Sequence, residues 1–329
     1  MFYAYGISVD LISDVSSAGL IRVASKKQIE DAGDLPQDEL AKKLDVRYIA
    51  NGELWRMGDM FQLSVELYDT KNKKVVWSDR WEQSWDNLPT IKMNLSDGLL
   101  KALNTKPKVE QKVETTNPEA YEFYLKAKHK YEKRENTDDT EIARGLLNKA
   151  IELDDNLILA KLLLGATYTE MGDYDKAMDI YTSALKQSEE LGDKRGVGHS
   201  LCSIGIVYVN KGDYDKGLDY LNRALTIEEE FGDKRGVGTI YHNIGCIYDL
   251  KGNKHKALEN FKFNHEICKD YDDKGGMAVG YNNIGNIYYS AGDYDIAHKY
   301  NDNYLTLSET IGDKGGIAAA FGNKSVYYR

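Results

Sequence analysis

The sequence predicts a small α+β domain, built on a mixed sheet with an antiparallel meander, followed by an all-α superhelical solenoid. Three observations predict it. A block of 40 residues recurs in register through the second half of the chain. Within each block the apolar and small residues fall at steps of three and four. Near the N-terminus one stretch instead alternates apolar with polar residues. Self-similarity at a fixed period of this size marks stacked units that bury their apolar faces against their neighbours. Strict alternation marks a half-buried strand.

The first domain is expected over residues 1–104. Val9, Leu11, Ile12 and Val15 have helical spacing and precede a short strand at 20–24. A second helix at 38–44 leads into a strand at 46–54. Phe61, Leu63, Val65 and Leu67 then point one way, with Gln62, Ser64 and Glu66 between them. Gly58 and Asp59 supply the turn before this strand, and residues 69–72 the turn after it. Val75, Val76 and Trp77 open a third antiparallel strand. Ile91, Leu95, Leu99 and Leu103 outline a closing helix, and Trp55, Trp77, Trp81 and Trp85 are expected to cover the sheet. Residues 105–117 are polar, charged and poor in large apolar groups, the composition of a linker, so the flanking domains are expected to move relative to one another.

The solenoid is expected over 118–329, as one short unit followed by 40-residue repeats, the last of them truncated. Leu164, Gly165 and Tyr168 recur as Ile204, Gly205 and Tyr208, then Ile244, Gly245 and Tyr248, then Ile284, Gly285 and Tyr288. A small residue where two helices cross lets their axes approach. Gly172, Gly212, Gly252 and Gly292 can take the left-handed conformation that ends a helix, and Asp173 can cap the amides that open the next. Each block therefore reads as a helix, a tight turn and a second helix. The short first unit carries Ala127 and Tyr131 on one helix and Ala143, Leu147 and Ala150 on the other.

These residues resemble a tetratricopeptide repeat (TPR) array, whose pattern is a small residue, an aromatic, a glycine before the turn and two alanines on the second helix. Gly217, Asn264 and Tyr304 stand where alanine is usual. The repeat length and the Gly-Asp-Lys ending are similar to the longer repeats of Pins-type scaffolds and kinesin light chains. Residues 5–25 and 44–81 resemble the TolB amino-terminal-like, or FlgO-like, domain, and residues 117–134 resemble the segment that leads from it into a TPR array. In that bacterial group the module sits between an upstream effector and the repeats, in proteins related to adenylate cyclases, protein kinases and winged-helix regulators. The resemblance implies a first strand ahead of Met1, and the fifth block stops at Arg329 before its second helix. The chain is thus expected to be an excerpt of a longer protein.

Composition narrows the function. A net charge of −10 argues against general nucleic-acid binding, which needs clustered Lys and Arg. No apolar run approaches the length of a membrane span, and no signal peptide opens the chain. Cys202, Cys246 and Cys268 form no closely spaced pair, which suits a reducing, cytoplasmic setting. Nucleophile elbows, P-loops and zinc-protease motifs are absent from the sequence, so no enzyme activity and no cofactor are expected of it. His199 with Cys202 and His242 with Cys246 have ligand-like helical spacing, but they lie at different repeat positions and packing or groove roles are expected instead.

The expected site is a peptide-binding groove on the inner wall of the superhelix. Its residues are those offset by two from the packing stripe of each first helix: His199, Ser203 and Asn210, then Thr239 and Asn243, then Asn283 and Asn286, then Asn323. Asn243, Asn283 and Asn323 are 40 apart and can both donate to and accept from an extended peptide backbone. Lys194, Arg195, Lys234 and Arg235 form a second ladder open to anionic contact, which neighbouring glutamates can neutralise. The reading is a non-catalytic scaffold that binds a protein or peptide. Its alternative is the sensory tail of a nucleotide cyclase or protein kinase whose catalytic domain lies upstream. A third reading has solenoids associating through the open end at Arg329.

Overall fold

The computed structural model of the chain describes residues 7, 11, 15, 24, 29, 30, 32–105, 115–270 and 273–327. The strand expected at 20–24 lies outside them except for Ala24, as do Val9, Ile12 and Arg329. Leu11 and Val15 are helical.

A short helix, α1 (Gln37–Leu44), precedes β1 (Tyr48–Met57), β2 (Met60–Asp69) and β3 (Lys74–Ser84). The strands pair in sequence order, antiparallel throughout, with Leu54 opposite Leu63 and Leu63 opposite Trp81. The alternation of β2 places Phe61, Leu63, Val65 and Leu67 in the core, each no more than 6% exposed. Helix α2 (Leu88–Ala102) covers that face with Ile91, Leu95 and Leu99. Trp77, Trp81 and Trp85 join this packing, whereas Trp55 stays 60% exposed. The pleat explains the exception: Leu54 packs against the core, so its neighbour points the other way. Asp69 ties the far end of the sheet together. Its carboxylate takes a two-pronged bond from Arg47, at 2.8 and 3.2 Å, and accepts from the Lys71 amide and the Asn72 side chain. The Arg47 guanidinium, followed by the Asn72 and Lys71 bonds, holds this buried carboxyl well below the usual carboxylate range.

The remainder is paired helices: α3 (Pro118–Glu132) with α4 (Thr137–Leu153), α5 (Ile158–Glu170) with α6 (Tyr174–Leu191), α7 (Lys194–Asn210) with α8 (Tyr214–Phe231), α9 (Lys234–Leu250) with α10 (Lys254–Asp270), α11 (Lys274–Ser290) with α12 (Tyr294–Ile311), and then α13 (Lys314–Tyr327). The turn glycines at 172, 212, 252 and 292 all have φ between 76° and 84°. Asp173, Asp213 and Asn253 each accept the amide three residues on, closing the start of the second helix. A side chain at Gly245 would meet the Phe261 ring at 2.7 Å, so the aromatic on the second helix demands the bare backbone opposite it.

The expected linker is anchored at its described end. The Thr115 hydroxyl, 4% exposed, donates to Asp154, and the Asn117 carboxamide caps α3 by accepting from the amides of Glu119 and Ala120. The sheet and the first helical units also share one core, in which Phe61, Trp85, Leu88 and Ile91 join Tyr121, Leu125, Leu147 and Leu157. Glu122 on α3 accepts from the Trp85 indole at 3.1 Å and pairs with Arg56 on β1 at 3.4 Å. Relative motion is the expectation that polarity at 105–117 suggests. Apolar residues on either side override it by packing against one another.

Candidate functional site

The first helices α7, α9 and α11 start alike. Asp193, Asp233 and Asp273 each accept the amide of the residue three positions on, Gly196, Gly236 or Gly276, at 3.0 to 3.1 Å. This common cap satisfies a free amide at the start of all three helices, and their apolar stripes occupy the same phase. Leu201, Ile204, Ile240, Ile244 and Ile284 are buried between helices, and positions offset from that stripe stay open. Asn210, Thr239 and Asn286 are exposed, and His199, Ser203, Asn243, Asn283 and Asn323 are half-buried. Val279, in phase with Thr239, is 45% exposed.

The three in-phase amides differ from one another. Asn283 Nδ2 lies 3.3 Å from His242 Nδ1 on the preceding first helix. Asn323 donates to Asn282 Oδ1 and to Asn301 Oδ1, both at 3.0 Å. The contacts to His242 and Asn282 reach back 41 residues between successive first helices and the one to Asn301 reaches the intervening α12, so these two side chains spend hydrogen-bonding capacity inside the array. The Asn243 side chain makes no hydrogen bond among the described residues. Ser203 lies against the Tyr181 hydroxyl, and Thr239 donates to the Arg235 carbonyl.

The cationic ladder is engaged locally. Lys194 lies 3.7 Å from Glu230 and Lys234 3.7 Å from Asp270, pairs that join the start of a first helix to the end of its partner. Arg195 and Arg235 are half-buried beside them. Exposed pairs of this kind contribute little energy and leave little net field for an acidic partner.

Two features escape the sequence. The first is Glu228 on α8, 3% exposed, with Oε1 3.8 Å from His199 Nε2. Burial, followed by the charge of Asp233 and opposed by Arg195, pushes its carboxyl up to about 7. Burial and Arg195 draw His199 down to about 4, although its side chain keeps 37% of its surface in solvent, which screens part of this effect. The second is a pocket of about 310 Å³ between α9, α10 and α11, walled by Thr239, His242, Ile267, Cys268, Gly276 and Val279. It brings Thr239 and Arg235 together and excludes Asn243 and Asn283. One signal was available for both features. Residues 188, 228, 268 and 308 are in phase and read Ser, Glu, Cys, Ser, a varying and buried position on an otherwise repeating helix.

His242 Nε2 also lies 3.6 Å from Cys246 Sγ. Burial raises that thiol, and raises Cys202 and Cys268 to about 12, so these cysteines are protonated and unreactive at neutral pH. Among the described residues no group of three or more His, Cys, Asp or Glu side chains could hold a metal, and no helix is long and apolar enough to cross a membrane.

Tetratricopeptide repeat family models match residues 156–227 and 197–263, and a second such model matches 278–311. The paired helices from α5 to α12 thus form a TPR array, while no family model matches the N-terminal sheet module. No curated protein matches the chain. Among solved structures, a signal-transduction ATPase with numerous domains and a TPR sensor from Pyrococcus horikoshii is similar at 18% identity and a TM-score of 0.58, over 74% of this chain and 34% of that one. The present chain therefore spans about a third of that protein. A Rap protein complexed with competence and sporulation factor aligns at 15% identity and TM-score 0.55, over 70% and 65% of the two chains. Aspartyl phosphate phosphatase F from Bacillus subtilis aligns at 17% and 0.55, over 72% and 67%. At these identities the likeness is one of fold.

Proposed function

We propose that this tetratricopeptide repeat array is a non-catalytic regulatory scaffold whose inner groove captures an extended segment of a protein or peptide. The observation that carries the reading is the division of labour on the first helices. One stripe is consumed by packing, and the in-phase positions beside it, from His199 to Asn323, stay exposed or half-buried and uncharged. Such a surface suits main-chain amides better than it suits a polyanion. Asn243 and the carboxamide oxygen of Asn283 would bond the backbone, and neighbouring pockets would set affinity. The Rap structure, with its bound factor, offers a precedent in a similar fold. Selecting binders from a random peptide display library on the full chain tests the reading. An Asn243→Ala/Asn283→Ala variant that keeps full affinity for the selected peptides overturns it.

A second reading takes the sheet module as a TolB amino-terminal-like domain and the whole as the sensory tail of a signalling enzyme. The core shared by the sheet and the first helical units favours it, because a rigid joint can pass a change in the array to whatever lies beyond the sheet. An upstream reading frame without a catalytic domain would remove this alternative.

A further inference from the structure

The pocket between α9, α10 and α11 has a filled counterpart 40 residues earlier. Arg195, Gly198, Ile227, Asp233 and Gly236 surround the buried carboxyl of Glu228, and Arg235, Gly238, Ile267, Asp273 and Gly276 stand in phase around Cys268. A Cβ at Gly198 or Gly236 would come within 3.0 Å of a Glu228 oxygen, so the glutamate is seated between two bare stretches of helix. The Cys268 sulfur sits against Gly276, but at Gly238 the nearest atoms are those of Ile267 and Asn264, where Glu228 reaches Gly198 in the earlier unit, and the open volume lies beside Val279. One interface later the large Tyr304 stands where Asn264 does here.

Several of the polar groups that line the pocket beside Arg235 are already engaged. The Asn264 carboxamide donates to the Gly238 carbonyl at 2.9 Å, and the Asp273 carboxylate holds the Gly276 amide. The Thr239 hydroxyl donates to the Arg235 carbonyl, and His242 Nδ1 faces Asn283. A polar group inserted here would give up its water for few unengaged partners, whereas a hydrocarbon would lose nothing. The filled seat agrees, since Glu228 is pushed toward its neutral form and Asp273 stands in phase with the Asp233 that helps to push it. The volume of about 310 Å³ is at the lower bound of ligand pockets and admits a bulky side chain, since a cavity of about 150 Å³ already holds a benzene ring.

We propose that this pocket is the anchoring subsite of the groove and receives one bulky apolar side chain, of the leucine, methionine or phenylalanine class, from the bound segment. The proposal rests on the groove reading, and two measurements separate their fates. Toluene, a phenylalanine side chain without its backbone, is titrated into the full chain while the Ile267 and Val279 methyl resonances are followed. Saturable shifts that vanish in Cys268→Met, which fills the seat from within with about the reach of Glu228, support the subsite. Absence of shifts in the wild type overturns it, as does their persistence in the variant. Val279→Trp, a change at an exposed position, blocks the mouth without disturbing the floor and gives the same reading should Cys268→Met fold poorly. Library-selected peptides supply the second measurement. They should carry one apolar residue in common and bind Cys268→Met about tenfold to a hundredfold more weakly. Peptides that lose affinity with Asn243→Ala/Asn283→Ala and not with Cys268→Met overturn the subsite and leave the groove standing. Peptides indifferent to both overturn the groove, and the toluene titration then decides the pocket by itself.

Discussion

The N-terminal third and the 40-residue repeats bury their apolar residues in different ways. In the first region, beside a smaller cluster of Leu67, Leu99 and Leu100, a large core runs from the sheet through α2 into the first two helical units, joining residues about a hundred positions apart, such as Phe61 and Leu164. In the second region the core is divided into small clusters, each held by adjacent helices. Ala177, Tyr181 and Ile204 make one, Leu201, Leu221 and Ile240 another, and Ala257, Phe261 and Ile284 a third. A shared core makes its members stand or fall together, while stacked clusters add their stabilities unit by unit.

The largest test of that contrast is truncation in each kind of core. Phe61→Ala should cost about 3–5 kcal/mol, and hydrogen exchange should show protection lost across the sheet and α3 alike. Phe261→Ala should cost a similar amount while its loss of protection stays within α9 to α11. Loss confined to the sheet in Phe61→Ala would break the comparison.

Next in size is the buried glutamate, which separates one repeat interface from its neighbours. Its folded pKa of about 7 lies above the ordinary carboxylate value, so the folded state holds the proton more tightly than the unfolded chain. Its contribution is therefore fully present below about pH 4.5 and is lost as pH rises through about 7. Glu228→Gln should leave stability unchanged near pH 4 and raise it above pH 8, by on the order of 3 kcal/mol, in urea titrations at the two pH values. His199 shifts the other way, and its effect is reduced by solvent screening.

A finer distinction lies between two glycines in the same repeat position. Gly245→Ala meets the Phe261 ring at 2.7 Å and should cost about 1–3 kcal/mol, relieved by adding Phe261→Leu. Gly285→Ala meets Tyr300 Cβ at 3.3 Å, with Asn301 in place of the aromatic, and should cost distinctly less in thermal denaturation. Smallest of all, Asp175 and Lys211 pair at 2.7 Å on the surface, and their removal should change stability by less than about 0.5 kcal/mol. The same partnership recurs between Asp215 and Lys251 and is absent where His255 and Ala291 replace both members.

Legibility of the sequence followed locality. The turn glycines, the capping aspartates and the alternation of β2 act on neighbours within a few residues, and each was readable. The asparagine ladder was readable as a period but not as chemistry. Its partners His242, Asn282 and Asn301 follow from how far one helix is displaced along the next. The polar stretch at 105–117 suggested independence, because apolar residues that meet across it carry no mark in the linear order. Glu228 and the Cys268 pocket were hidden for the same reason, since their surroundings come from three helices at once.

The subdivision of the repeat cores bears on how the molecule would yield to a mechanical load. Pulled from its ends, an array held by clusters between adjacent helices gives way in steps, and each 40-residue step releases a contour of about 130 Å. The sheet and the helices fused to it would resist as a single block. Stretching would thus disassemble the groove while the N-terminal body persisted, making the chain an elastic tether with a rigid head.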